Sequence, residues 1–534
     1  MTWPADVPWT QVSGAAVGAH WLAFELGPSA SPLAHNARDR ERCFRPGDEA
    51  AVRAALERVG RIATEVDVER LEAIHFAIKD GPDVRAALLT ASEGGVLSDV
   101  ELFEIARLLD AVSAVTDLAT AAAFADLVPV VDSHLRAALE PGRVAPSAFY
   151  VADAFDPTLE PARAQVSAAR AAYDSARSRS IERVASIPGL EAARDGEFVV
   201  MRDRLDGALP SELHVLRETP AYLLCDVSLD DAALTALAAR DAAAERVAAL
   251  EEAVRMRLSR AVAASAAGLR RACDMLGDLD LLVWRARFAR RNHCAVPEIV
   301  DGTAVAFEDA RYLPLEDELS QRGLPYSPIS LELDGIGVVT GPNMGGKSAA
   351  LRTLGFLAAC VALGVPVPAK SARLPLFDEI VWFGIGAAAA DDRLLSSFGA
   401  EVVGLQAFLE RRSERSLVLA DELARTTSPR EGRALLVALL EALRDRGAVA
   451  LAATHLADVT PSGVAHFATG GLTRLPPRQA VPLDLDWALR RIADAMDFRL
   501  RRVSEDTAPP ADAIALADAL GLDPRLIERA KEVL

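Results

Sequence analysis

The apolar positions along this chain change their spacing several times, and each change predicts a different kind of element. The first fifty residues, rich in Pro, Gly and small side chains, hold no sustained period and read as irregular up to Arg45-Pro46-Gly47. From 48 to about 127 the spacing is three and four, through Leu56, Val59 and Ile62, then Leu71, Ile74 and Ile78, then Leu102, Ile105, Leu108 and Leu109. That period is one face of an amphipathic helix, so a helical region is expected, with turns at Asp80-Gly81-Pro82 and Glu93-Gly94-Gly95. Long helices are expected over 159–184 and 230–269. Between them Phe198-Val199-Val200-Met201, Leu213-His214-Val215-Leu216 and Tyr222-Leu223-Leu224-Cys225 read as three short strands. Two long helices flanking a strand-rich tip describe levers carrying a short clamp. A further helix is expected over 278–295, closed by Val296-Pro297-Glu298.

Beyond 300 the pattern becomes short apolar runs alternating with helical periods. Val338-Val339-Thr340 is a buried strand, followed by a glycine loop and a helix through Leu351, Leu354, Leu357 and Val361. Ser416 to Glu422 is an apolar strand ending in two carboxylates, a helix follows over 429–446, and the strand 448–454 ends before His455. Strand, loop, helix and strand in this order call for an α/β domain with a mostly parallel sheet.

The glycine loop carries the chemistry. Gly341-Pro342-Asn343-Met344-Gly345-Gly346-Lys347-Ser348 has the G-x-x-x-x-G-K-[ST] spacing between a strand and a helix, which is the context that motif requires. Its backbone N–H groups close around a polyphosphate, and the helix N-terminus adds partial positive charge. Lys347 reaches the β/γ oxygens and Ser348 holds Mg²⁺. Asp421 is placed to bind Mg²⁺ through water, Glu422 to polarise the attacking water, and His455 to sense the γ-phosphate at the carboxyl edge of the sheet. ATP and Mg²⁺ are therefore the expected cofactors, and an ATP hydrolase the expected enzyme.

Length and charge narrow this reading. At 534 residues the chain calls for about three or four domains. Lys+Arg 58 against Asp+Glu 77 gives a net charge of −19, which disfavours indiscriminate nucleic-acid binding while leaving room for a local basic patch. The cysteines Cys43, Cys225, Cys273, Cys294 and Cys360 show no C-x-x-C spacing, as expected of a cytoplasmic protein without a zinc site or disulfide framework. No secretory signal follows Met1, and the apolar stretch 354–367 is interrupted by Gly355, Gly364 and Pro366, so no membrane partner is expected. Three features have two readings each. His75 is a packed core residue or a ligand, and Tyr326 a plain tyrosine or a stacking surface for adenine. Arg163, Arg170, Arg177, Arg179 and Arg183 form a solvated helix face or a phosphate-binding stripe.

Five stretches resemble the MutS family. Thr340 to Ser348 contains the Asn-Met-Gly-Gly core of that family's phosphate loop. Residues 386–392, with Ser396-Ser397-Phe398 and Glu401, are similar to its two-aspartate loop and Ser-Thr-Phe-x-x-Glu run. Asp421 to Ser428 resembles its Asp-Glu-x-Gly-Arg-Gly-Thr-Ser box, with Ala424 and Thr426 standing in place of glycines, and Ala452 to His455 its Ala-Thr-His switch. Residues 513–534 look like its C-terminal helical dimerisation element.

The resemblance implies a multidomain protein: a helical N-terminal domain over 1–150, and lever helices over 151–300 with a clamp tip at about 195–228. An α/β P-loop ATPase domain over 301–490 and a dimerisation element over 491–534 complete it. A second MutS-like subunit, identical or not, is the implied partner, with Ser396 or Ser397 completing the partner subunit's ATP site. No Phe-x-Glu wedge is found in the helical N-terminal region, where Phe149-Tyr150-Val151 lacks the glutamate. The chain is thus expected to lack the mismatch-reading domain, and also the C-terminal nuclease-like extension. The expected function is a dimeric, ATP-switched clamp directed at DNA in repair or recombination. The alternative is an ATP-driven reactivating chaperone for an adenosylcobalamin-dependent aminomutase.

Overall fold

The run Ile-Gly-Val-Val-Thr at 336–340 has no polar face, and in the computed structural model of the protein it has no solvent face: all five residues are buried. The structure describes residues 6–26, 31–119, 124, 126–143, 148–188, 190–192, 196–204, 208–342, 345–384, 397–411, 413, 415–456, 458–474, 485–503 and 513–533. They fall into two compact units. Unit 1 comprises Met1–Asp80, Ala114–Val128 and Asp274–Leu534, and unit 2 comprises Gly81–Ser113 and Pro129–Cys273. The expected 1–150 region is thus divided between them.

The chain begins with α1 (Gln11–Ala16), α2 (Ala19–Glu25) and α3 (Pro32–Arg40), where an irregular segment was expected. The Thr10 and Ser31 side chains accept hydrogen bonds from the first turns of α1 and α3, and Trp9, Val17 and Leu22 are buried in the same core as the central sheet. Helices this short are stable only through such packing, which a local period does not report. Then come α4 (Glu49–Glu65), α5 (Val68–Lys79), α6 (Arg85–Ser92), α7 (Asp99–Leu118), α8 (Ser133–Leu139) and α9 (Leu159–Ala185). In unit 2 the expected tip is a four-stranded antiparallel sheet: β1 (Glu191–Ala192), β2 (Glu197–Met201), β3 (Leu213–Glu218) and β4 (Tyr222–Val227), in the order β1-β2-β4-β3. Phe198, Val200, Leu213, Cys225 and Val227 form its core with Val184 of α9.

Next, α10 (Asp231–Arg291) is one helix of 61 residues, not the two expected. Gly277 lies in the expected gap between 269 and 278. A Cβ there would collide with the Leu33 carbonyl of α3, so the glycine permits close packing inside a continuous helix.

The remainder of unit 1 is β5 (Glu298–Ile299), β6 (Ala304–Ala310), α11 (Leu313–Gln321), β7 (Ile329–Asp334), β8 (Ile336–Thr340), α12 (Lys347–Ala362), β9 (Ser371–Leu374), β10 (Glu379–Gly384) and α13 (Ser397–Glu410). After these come β11 (Ser416–Asp421), α14 (Pro429–Asp445), β12 (Val449–Thr454), β13 (Ala465–Leu472), α15 (Leu485–Ala495), β14 (Met496–Arg502), α16 (Ala513–Ala519) and α17 (Pro524–Val533). A small sheet has the order β5-β9-β6-β7, and the central sheet the order β10-β11-β12-β8-β13-β14. All pairs of the central sheet are parallel except β13 with β14, so the expectation of a mostly parallel sheet holds.

Alternate residues of the central strands serve different cores. Val339, Leu417, Leu419 and Leu451 face the core that contains α12, whereas Val338, Val418, Ala420 and Ala450 face Leu436, Leu440 and Leu443 of α14. Continuous apolar strands follow from that double coverage. One strand lies where only helix was expected: β14 falls within 491–534, because Met496, Phe498 and Leu500 alternate with Asp497, Arg499 and Arg501 at a period of two. Among the described residues no helix is long and apolar enough to cross a membrane.

Candidate functional site

Parallel register gathers the site at one sheet edge. Asp421 ends β11 opposite Gly384 and Ala453, Thr454 pairs with Thr340, and Thr340 pairs with Ala468. The loop after β8 leads into α12, whose N-cap Gly346 has φ +90, a backbone state that glycine adopts without penalty. Asn343 and Met344 lie outside the described residues, as does Ser396. Ser397 is described only as the first residue of α13.

Lys347 is buried, and its Nζ donates to the carbonyl oxygens of Gly341 and Pro342, both at 3.0 Å. Burial pushes the ammonium pKa down, opposed by the nearby Glu422 and Asp421 carboxylates. Ser348 Oγ donates to Asp421 Oδ1 at 2.9 Å. The Asp421 carboxyl is pushed up by burial, with the Ser348 hydrogen bond opposing the shift and the Glu422 charge adding to it. The sheet edge therefore holds a cation resting on neutral carbonyls beside a carboxylate resting on a neutral hydroxyl.

Glu422 follows at φ +54, with its N–H bonded to Ala453 O at 2.9 Å. Ala424 also takes left-handed backbone, at φ +59, and donates its N–H to Glu401 Oε2 at 3.0 Å. The glycine-type turn is thus retained by an alanine, at a cost of about 1–2 kcal/mol. Ser428 then caps α14, exchanging bonds with Glu431 across Pro429. His455 follows β12, half exposed, with Nδ1 3.9 Å from Glu422 Oε1; this is proximity without a hydrogen bond.

Gly345, Gly346, Lys347, Ser348, Asp421 and Glu422 line a cleft of about 580 Å³. The lining also includes an apolar set, with Leu315 and Leu319 of α11, Leu324, Tyr326, Leu489 and Ile492 of α15, and Phe498, which lies beside Gly346. Tyr326 lines the cleft while its phenolic oxygen accepts the Tyr312 N–H at 2.7 Å. Sequence reasoning missed α11, α15 and Phe498. The three-residue step from Leu489 to Ile492 was an available signal; Phe498 had none, because sheet pairing alone brings it over Gly346. The hard oxygens of Ser348 and Asp421 suit Mg²⁺.

Residues 337–475, from β8 into the segment after β13, match the family profile of MutS domain V. The chain is 30% identical over 528 residues to an Endonuclease MutS2 of Anaeromyxobacter sp., covering 92% of this chain and 60% of that one. It is 31% identical over 472 residues to the DNA mismatch repair protein MutS of Azorhizobium caulinodans, covering 83% and 48%. The chain belongs to the MutS family.

An Endonuclease MutS2 of Geobacillus thermodenitrificans is 28% identical over 473 residues, covering 84% of this chain and 56% of its own length. The chain thus spans about half to three fifths of these MutS-family relatives.

Away from the cleft, the two-way readings resolve toward structure. His75 Nδ1 meets the buried Asp280 Oδ1 at 2.8 Å, with its ring edge-on to Trp284. In unit 2, Arg163 bonds Asp153 and Glu251, Arg177 pairs with Asp226 at 3.5 Å, Arg183 with Asp230 at 2.7 Å, and Arg179 donates to Ser175. Four of the five arginines are thus matched within unit 2, and Arg170 is exposed.

Proposed function

We propose that the chain is a Mg²⁺-dependent ATP hydrolase that works as a dimeric, ATP-switched clamp directed at DNA. The observation that carries the hydrolase reading is the buried Lys347 ammonium, bonded among the described residues only to loop carbonyls, one residue before the Ser348–Asp421 pair. A buried charge whose hydrogen bonds go to neutral groups recovers its desolvation cost when an anion arrives, and polyphosphate is the anion a glycine loop at a helix N-terminus accommodates. Ser348 and Asp421 would hold Mg²⁺, which when bound offsets charge developing on the transferred phosphoryl group. Glu422 orients and polarises the attacking water from the end of β11, with His455 beside it. The apolar part of the lining takes the base.

Dimerisation through α16 and α17 is supported by the exposed Leu522, Leu526 and Val533. In that dimer Ser396 or Ser397 donates to the γ-phosphate held by the partner subunit. The DNA assignment rests on relatives named as an endonuclease and as a DNA mismatch repair protein.

The test is ATP turnover with Mg²⁺ or EDTA, with and without duplex, branched and single-stranded DNA, between about 50 and 200 mM salt. Mg²⁺-dependent turnover raised by one of these DNAs, with the stimulation lost as salt rises, is expected. Lys347→Ala should weaken ATP binding about 100-fold or more. Turnover indifferent to every DNA would remove the DNA half of the proposal, and recovery of a turnover-inactivated cobalamin-dependent aminomutase would then identify a protein client instead.

A further inference from the structure

Thr469 is a buried polar group packed against the glycine loop, and no bond among the described residues accounts for it. It follows Ala468, the β13 residue in register with Thr340, and so stands beside the first residue of the glycine loop. The residue is 1% exposed, and its Oγ1 has no hydrogen-bond partner. Two loop residues leave room for it. A Cβ on Gly341 would collide with this oxygen, and one on Gly345 would lie 2.6 Å from it. The hydroxyl therefore occupies the space that two absent side chains leave beside the loop. A buried hydroxyl without a partner loses its water and gains nothing in return.

The same stretch of loop is held by Lys347. Its Nζ donates to the Gly341 and Pro342 carbonyls, and those bonds compete with any polyphosphate for the ammonium. When an anion draws Lys347 toward itself, a loop carbonyl loses its donor in a dry site. The unused donor beside Gly341 is the Thr469 hydroxyl.

We propose that Thr469 is a positioning residue of the phosphate loop. Its hydroxyl is unpaired while Lys347 holds the Gly341 and Pro342 carbonyls, and it bonds a loop backbone group once Lys347 turns to polyphosphate, which favours the ligand-holding arrangement. The inference rests on the proposed function, and Thr469 itself touches no ligand.

The experiment titrates a non-hydrolysable ATP analogue with Mg²⁺ into the full chain as wild type, Thr469→Val and Thr469→Ser, and records the melting temperature of each without nucleotide. The valine keeps the shape and removes the hydroxyl; the serine keeps the hydroxyl. Thr469→Val should melt at the same temperature or higher, because the orphaned group is gone, yet bind the analogue about tenfold more weakly, while Thr469→Ser stays within about twofold of wild type. A packing role would instead lower stability and affinity together, and that result overturns the inference. Equal affinity of the wild type and the valine variant also overturns it, while leaving the proposed function standing. A wild-type chain that does not bind the analogue overturns both.

Discussion

The two units place their charges differently. In unit 2, Arg163, Arg183 and Arg255 meet Asp153, Asp230 and Asp99 with partly exposed side chains on both sides. Pairs of this kind contribute up to about 1 kcal/mol each and leave nothing for a ligand to complete. In unit 1 the buried ionisable side chains include Asp280, Lys347, Asp421 and Asp497. Asp280 faces His75, and Asp497 faces Arg499 and Arg501. Among the described residues, Lys347 and Asp421 are hydrogen-bonded only to neutral groups. Polar burial that is matched by charge holds a fold together, whereas polar burial left short of charge marks where a ligand supplies it.

The largest effect that would sharpen this contrast is at Glu422. Glu422→Gln should lower kcat by about 10²–10⁴-fold with ATP affinity nearly unchanged, because it removes proton acceptance and keeps the shape. Normal turnover in a steady-state assay would refute Glu422 as the group that activates water.

Next comes a lesion confined to unit 2. Phe198 is fully buried in the tip core, and Phe198→Ala should cost about 3–5 kcal/mol there. Hydrogen exchange is expected to rise through β2, β3 and β4 while nucleotide affinity stays at the wild-type value. A parallel loss of affinity would break the division of labour between the units.

A smaller effect of opposite sign is expected at Ala424, whose φ of +59 suits glycine. Ala424→Gly should stabilise unit 1 by about 1 kcal/mol, after allowing for the added freedom of the unfolded chain, and raise its Tm by about 2–4 °C. A lower Tm would mean that the alanine methyl contributes more packing than the turn costs.

The smallest effect is in pH. Burial pushes the His466 imidazole below its ordinary value, while its Nε2 lies 2.7 Å from Thr340 Oγ1. The unfolded chain takes up this proton near pH 6.5, before the folded one does. The contribution is therefore present above that pH and lost as pH falls toward the lower folded value. Urea midpoints measured from pH 7.5 to 5 should fall less in His466→Gln than in the wild type, and equal slopes would exclude His466 as the source.

The sequence by itself determined the glycine-loop half of this protein, because its signals are local. A glycine spacing fixes a loop, an apolar run ending in Asp421-Glu422 fixes a strand and its two carboxylates, and Ser428-Pro429-Arg430-Glu431 fixes the start of a helix. Tertiary structure alone decided the rest. Helices α1 to α3 hold little periodicity and form because their few apolar residues are buried in a core assembled from residues hundreds of positions away. The gap expected between 269 and 278 closes into one helix, with Gly277 packed against the Leu33 carbonyl. Strand β14 lies beside β13, bringing Phe498 over the phosphate loop, and β13 beside β8, bringing Thr469 under it. Those placements depend on which strands become neighbours, and strand order is set by the burial of whole faces, a property that no local stretch of residues contains.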